Sequence, residues 1–183
     1  LHYTLKDKVL ATVDTAYTGE QGLDEVTEKA PEILQRVRYV EEKRIVQQFL
    51  YEIGHDTGLA TYGENEVRQA LQQGAARTLL LSEGLDVMRV TVNCTSCNYT
   101  EQETIKERAL LGFQQSLTGK PCPKCKALTL SVTETKDLID DFAEIAEQVG
   151  SDVEIISVAT EEGQMLKNSF GGIAAILRFK LQG

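Results

Sequence analysis

An α/β sandwich carrying an inserted zinc-ribbon minidomain is the fold class the sequence predicts, and three observations predict it. From Leu59 to Phe179 short strand-like runs alternate with helical apolar stripes across brief connections, the pattern of helices packed on a sheet. Ile173 to Phe179 is almost entirely apolar, as a strand covered on both faces is. The four cysteines fall as two C-x2-C pairs, Cys94-Thr-Ser-Cys97 and Cys122-Pro-Lys-Cys125, with 24 residues between them.

The elements follow in order. Leu5, Val9, Leu10 and Val13 recur at helical spacing over residues 4–14, and Tyr17-Thr-Gly19 breaks the pattern. Leu23 to Ala30 predicts a short helix and Pro31 the first turn of another. A longer helix is expected from about Val37 to Ile53 on the stripe Val46, Phe49, Leu50 and Ile53, ended by Gly54-His55-Asp56-Thr57-Gly58. Leu59 to Tyr62 then predicts a strand. Val67, Ala70, Leu71 and Gly74, at i, i+3, i+4 and i+7, predict a helix. Ala76 to Leu81 predicts a strand, and Val87 to Val92 alternates polar and apolar residues as a half-exposed strand does. Thr100 to Ser116 is mixed and specifies no element. Leu128, Leu130 and Val132 restore a period of two. A helix from Asp137 to Val149, a strand from Val153 to Val158, a helix from Thr160 to Asn168 with Thr160 as N-cap, and the final apolar strand complete the chain.

Two C-x2-C pairs can bend the backbone so that four thiolates surround one ion, the shell Zn2+ prefers. Disulfides would need an oxidising compartment, and nothing in the sequence suggests export. A redox C-x-x-C would open a helix, whereas Asn98, Gly119, Pro121 and Pro123 mark turns. Spacing alone leaves iron or an iron-sulfur cluster open. With Cys94, Cys97, Cys122 and Cys125 all sulfur ligands, no position stays free for water or substrate, so one zinc ion with a structural role is expected.

The 183 residues suit one domain with an insertion, or one domain and a small satellite. No run approaches 18 apolar residues and no signal peptide opens the chain, so no membrane span is expected and a cytoplasmic location follows by default. The start at Leu1, already in helical pattern, is expected of a piece of something longer. The net charge is −9. Asp137 to Glu162 holds nine acidic residues and no Lys or Arg, a surface that repels phosphate backbones and argues against DNA or general RNA binding by the body. The segment around the cysteines differs, with Lys106, Arg108, Lys120, Lys124 and Lys126 against four acidic residues. His55, beside Asp56 and Thr57, is explained by a helix-ending turn more economically than by catalysis.

Several long stretches in one order carry a resemblance: Ala16-Tyr-Thr-Gly-Glu-Gln-Gly22, Glu52-Ile-Gly-His-Asp-Thr-Gly58, Tyr62-Gly63, Gln69-Ala-Leu-Gln-Gln-Gly-Ala75, Glu161-Glu-Gly-Gln164 and Phe170-Gly-Gly-Ile-Ala-Ala-Ile-Leu-Arg-Phe179. With them the chain resembles, over essentially its whole length, the C-terminal domain of the class-I release factor family, archaeal branch. The resemblance implies an α/β/α sandwich related to kink-turn-binding ribosomal proteins. On that footing residues 1–35 lead from a missing middle domain, 36–92 and 135–183 form the sandwich, and 93–134 are the inserted minidomain. The family's hydrolysis motif is Gly-Gly-Gln in the middle domain, and stop-codon reading belongs to the N-terminal one. Here the only Gly-Gly is Gly171-Gly172 before Ile173, so no enzyme activity is expected of this chain.

The resemblance further implies docking on the ribosome to an elongation-factor-1-alpha-like GTPase and to the recycling ABC ATPase. The family's contact segments fall around Tyr17 to Glu42 and at Ile176 to Phe179, and the candidate contacts in and beside them are Glu20, Arg38, Glu41, Arg44, Ile176, Leu177, Arg178 and Phe179. Ile176, Leu177 and Phe179 read first as core, Arg178 as the better contact or as the partner of a nearby carboxylate, and the rest as ordinary helix-surface charges. A second reading is an RNA-binding module of the kink-turn-binding fold that touches ribosomal RNA through the basic insertion. A third is the rescue factor Pelota, whose C-terminal domain resembles this one in fold and in its glycine-rich close; that resemblance implies no cysteine insertion, so the two cysteine pairs count against it.

Overall fold

The structure is a computed structural model that describes residues 12–181. The helix expected over residues 4–14 lies largely outside the described residues, and Thr12 to Asp14 are not helical. Among the described residues the first element is α1, Glu20–Gly54, followed by β1 (Ala60–Tyr62), α2 (Glu64–Gln72) and β2 (Ala76–Ser82). Next come β3 (Val87–Cys94), β4 (Thr100–Lys106), a 3-10 turn (Glu107–Ala109), α3 (Leu110–Leu117) and β5 (Leu130–Asp137). The chain closes with α4 (Leu138–Gln148), β6 (Asp152–Ile156), α5 (Glu161–Phe170) and β7 (Ile173–Leu177).

These strands form two sheets. The body sheet has the order β1-β7-β2-β6, with β2 and β6 parallel and β7 antiparallel to both its neighbours. Alternation sends successive residues to opposite faces. Leu79, Leu81, Ala175 and Leu177 join Val67 and Leu71 of α2 and Leu138, Phe142 and Ala146 of α4 in one core. Leu80, Ala174 and Ile176 join Val46 and Phe49 of α1 and Leu166 of α5 in the other. The body is therefore an α/β/α sandwich. All five residues of β7 are buried, as its apolar run demands, and the strand ends at Leu177 rather than at Phe179. The edge strand β6 carries Asp152 and Glu154 outward, charges that blunt a free edge.

The second sheet, β4-β3-β5, is antiparallel throughout. It has its own small core of Val90, Val92 and Leu117, with Ile105, Phe113 and Val132 packed around. It also reaches beyond the 93–134 insertion expected. Val87 to Val92, assigned above to the body, pairs with β4 and β5 and with no body strand, because a half-exposed strand finds its partners on both sides within the minidomain. Thr100 to Ser116, which specified no element, forms β4, the 3-10 turn and most of α3.

The two short helices and the longer one expected between Leu23 and Ile53 are a single helix of 35 residues, with Pro31 inside it. Proline lacks the N–H that would reach the Thr27 carbonyl, which costs one bond where water can satisfy the freed oxygen. The surrounding Glu, Lys, Gln, Arg and Leu are strong helix formers, and their sum carries the helix through. The boundary placed at residue 35 thus falls within one rod.

Where α5 begins, Thr160 caps as expected: its hydroxyl accepts the Gly163 N–H at 3.1 Å. No helix among the described residues is long and apolar enough to cross a membrane.

Candidate metal centre

The two cysteine pairs are the same local device used twice. After each second cysteine the backbone enters the left-handed region, at Asn98 (φ 54°) and Lys126 (φ 61°). Asn98 N–H donates to the Cys94 carbonyl and Lys126 N–H to the Cys122 carbonyl, each at 2.9 Å. The turns close as Cys94 N–H meets the Tyr99 carbonyl at 2.8 Å and Cys122 N–H the Ala127 carbonyl at 2.9 Å. Both sulfurs of each turn then point the same way.

The turns face one another. All four sulfurs lie within 4.8 Å of one another, with Cys94 to Cys125 at 3.6 Å and Cys97 to Cys122 at 3.7 Å. No disulfide is formed. Bonds of about 2.3 Å to a central zinc would place tetrahedral sulfurs about 3.8 Å apart, so the cage suits one ion. A four-iron cluster, whose thiolates each take a different iron, needs them wider apart. Cys94 and Cys122 are buried, Cys97 half-buried and Cys125 exposed.

Environment separates the thiols further. A hydrogen bond from Thr129 pulls the Cys94 thiol down to about 6, with the Ser96 and Cys97 amides adding to the effect. Burial pushes the Cys97 thiol up to about 12. Four thiolates in one cage are stable only beside a cation, so the site can hold a metal ion and offers that ion no open position.

The base of the minidomain is tied to the body by charge. Arg89 of β3 reaches Glu64 of α2 at 2.5 Å, and Arg68 of α2 reaches Asp141 of α4 at 2.7 Å. Thr104 of β4 donates to the same Glu64 oxygen at 2.9 Å, and the Arg68 guanidinium lies 4.6 Å over the Phe142 ring. None of the four charged side chains is more than 23% exposed. Sequence reasoning missed this knot, since its members lie 25 and 73 residues apart and nothing local marks them.

The candidate contact residues separate into two kinds. Glu20, Glu41 and Arg44 are exposed on α1. Phe179 is 51% exposed, whereas Ile176 and Leu177 are buried in the two faces of the sheet, so changing either would act through folding. Among the described residues Arg178 pairs with no carboxylate; its guanidinium donates to the Gly74 and Gly150 carbonyls and its N–H to the Ala75 carbonyl, which ties the ends of α2 and α4 together. His55 sits at the end of α1 with Nδ1 2.9 Å from the Tyr51 carbonyl and its ring stacked on Tyr51, as a helix-ending residue.

Arg38 also has an internal task. It pairs with Glu42 at 2.5 Å and donates to the Ile155 carbonyl at 3.2 Å. Glu42, only 3% exposed, in turn accepts the Ser157 N–H at 2.8 Å. Adjacent Glu41 gives no sequence signal that Glu42 is the inward one. Replacing Arg38 with alanine leaves that carboxylate short of a partner. Because Arg38 is itself half exposed, a loss of about 1 kcal/mol is expected, measurable by urea unfolding.

Comparison with known proteins agrees with this architecture. The family eRF1 domain 3 matches residues 39–181. Peptide chain release factor subunit 1 of Pyrococcus abyssi is 48% identical over 181 residues, covering 99% of this chain and 43% of that protein. This chain thus spans under half the length of such relatives. The solved C-terminal domain of the peptide chain release factor from Methanosarcina mazei superposes with a TM-score of 0.75 at 38% identity, covering 90% of this chain and 98% of that one. Pelota in the ribosome-bound archaeal Pelota and ABCE1 assembly shares the fold, with a TM-score of 0.54 at 24% identity over 97% of this chain and 39% of that one. By sequence and by fold the chain belongs to the eRF1 domain 3 family, among the archaeal release factor subunit 1 proteins.

Proposed function

We propose that this chain is the docking domain of a translation termination factor, holding one structural zinc ion at Cys94, Cys97, Cys122 and Cys125 and having no hydrolytic activity of its own. Its partners on this reading are an elongation-factor-1-alpha-like GTPase and the recycling ABC ATPase, met on the ribosome in the cytoplasm. The Pelota and ABCE1 assembly supports this by analogy of fold.

The observation that carries it is the outer half of α1. The helix packs its later residues Ile45, Val46, Phe49, Leu50 and Ile53 on the body, yet Leu23, Ala30, Leu34 and Val37 recur on one face of its earlier turns. Leu23 is 68% and Leu34 53% exposed, with Val40 beside them at 68%. Apolar side chains in such a row on a charged helix support the reading that a partner covers this surface. Glu20, Glu41 and Arg44 lie along the same rod, and Arg178 and Phe179 offer a second exposed point. The non-catalytic reading rests on Gly171-Gly172, where Gly172 is buried against Leu85 and Ser82.

Immobilised, metal-loaded chain is expected to retain an archaeal elongation-factor-1-alpha-like GTPase, and Leu34→Asp to lose it without loss of folding. Failure of the parent chain to retain either the GTPase or the ABC ATPase removes the docking reading. Salt-dependent capture of a kink-turn RNA at physiological ionic strength in its place would favour the RNA-binding alternative, for which the exposed Lys120, Lys124 and Lys126 speak.

A further inference from the structure

Thr129 lies on the segment that leaves the second cysteine turn, yet its contacts are with the first. Its carbonyl accepts the Thr95 N–H at 3.2 Å. Its hydroxyl oxygen stands 3.2 Å from the Cys94 sulfur and 2.9 Å from the Ser96 hydroxyl. Among the described residues Cys94 is the cysteine with a hydroxyl at hydrogen-bond distance; Cys97 and Cys122 meet each other, and Cys125 meets Cys94.

Counting protons sets the direction of these bonds. A thiolate bound to a cation has none to give, so Thr129 is the donor to Cys94. A hydroxyl has one proton, and Thr129 has then spent it. Ser96 is therefore the donor to Thr129, and the chain runs Ser96 to Thr129 to Cys94. Each donor in such a row polarises the next.

We propose that Ser96 and Thr129 form an outer layer of the metal centre, a hydroxyl relay that positions Cys94 and draws electron density from its sulfur. The inference rests on reading the four cysteines as a metal site. A metal with four thiolates carries excess negative charge inside a small core, and a donor aimed at one buried sulfur offsets part of it. Cys94 becomes the anchor ligand of the cage, while Cys125, exposed at the rim, is the more readily released. Thr129 acts here as a positioning residue, since it touches the ligand and not the ion.

The test compares the parent chain with Thr129→Val, which keeps the volume and removes the donor, and Thr129→Ser, which keeps the donor and trims the volume. Zinc affinity is read by competition with a chelator. The cobalt-substituted chains report the sulfur-to-metal charge-transfer band. Thr129→Val is expected to weaken zinc binding about 10- to 100-fold. Its cobalt band should move to longer wavelength, because a sulfur without its donor holds its electrons less tightly. Thr129→Ser should keep the parent band, and exposed Ser96→Ala should shift it in the same direction by less.

An unchanged competition curve and an unshifted band in Thr129→Val overturn the relay while leaving the metal site intact. A loss of affinity shared by both Thr129 variants with no band shift assigns Thr129 to packing and also overturns it. Should Thr129→Val fail to fold, Ser96→Ala decides, and an unshifted band there counts against the proposal. A parent chain that takes up neither zinc nor cobalt removes the metal reading and the relay together.

Discussion

Cys97→Ser is expected to abolish stable metal binding and to unfold the cysteine end of the minidomain while the body stays folded. The reason is the distribution of apolar cores. The body has two, on opposite faces of its sheet, and both are independent of the cysteines. The minidomain has three buried core residues besides its cysteines, too few to hold three strands and a short helix unaided. A structural zinc ion supplies an apparent binding energy on the order of 10 to 16 kcal/mol, far more than that core. Amide hydrogen exchange should therefore rise in β4, α3 and β5 on substitution or chelation, with β2 and β7 unchanged. Rapid exchange across the whole chain would show that the body depends on the metal as well. Since thiols must lose protons to bind the ion, affinity should also fall as pH falls.

Arg89→Ala is expected to destabilise the junction by about 3 kcal/mol. It leaves Glu64, mostly buried, facing Arg68 at 3.6 Å instead of its close partner at 2.5 Å. A double-mutant cycle with Glu64→Gln should return a coupling of about 1–3 kcal/mol by urea unfolding. The coupling should change little with salt, because the pair is shielded from solvent. A coupling near zero would mean that β3 is held to the body by packing alone.

The four-cysteine cluster was legible because its members are one residue type at one repeated spacing, and the fold does bring their sulfurs together. Body strands such as β7 were legible for a related reason: burial on two faces writes itself as a continuous apolar run. The losses came where structure is set at a distance or by summation. Thr100 to Lys106 reads Thr-Glu-Gln-Glu-Thr-Ile-Lys and becomes a strand through pairing with β3, since intrinsic preference there is weak. Pro31 marked a break that the helix formers around it override. Glu42, Glu64 and Arg89 are charges in sequences full of charge, and only three-dimensional packing selects them.

β3 joins the two sites. Arg89 near its start sits in the charged knot, and Cys94 at its end belongs to the cysteine cluster, about 17 Å apart along an extended strand. The minidomain is thus a beam held by different chemistry at its two ends: a guanidinium-carboxylate clasp ties the root to the body, and the four cysteines close the tip on itself. Such a beam can be freed at either fastening alone. Chelation should leave the root angle unchanged, while Arg89→Ala should let an intact tip swing, and at this separation the two free-energy losses should simply add.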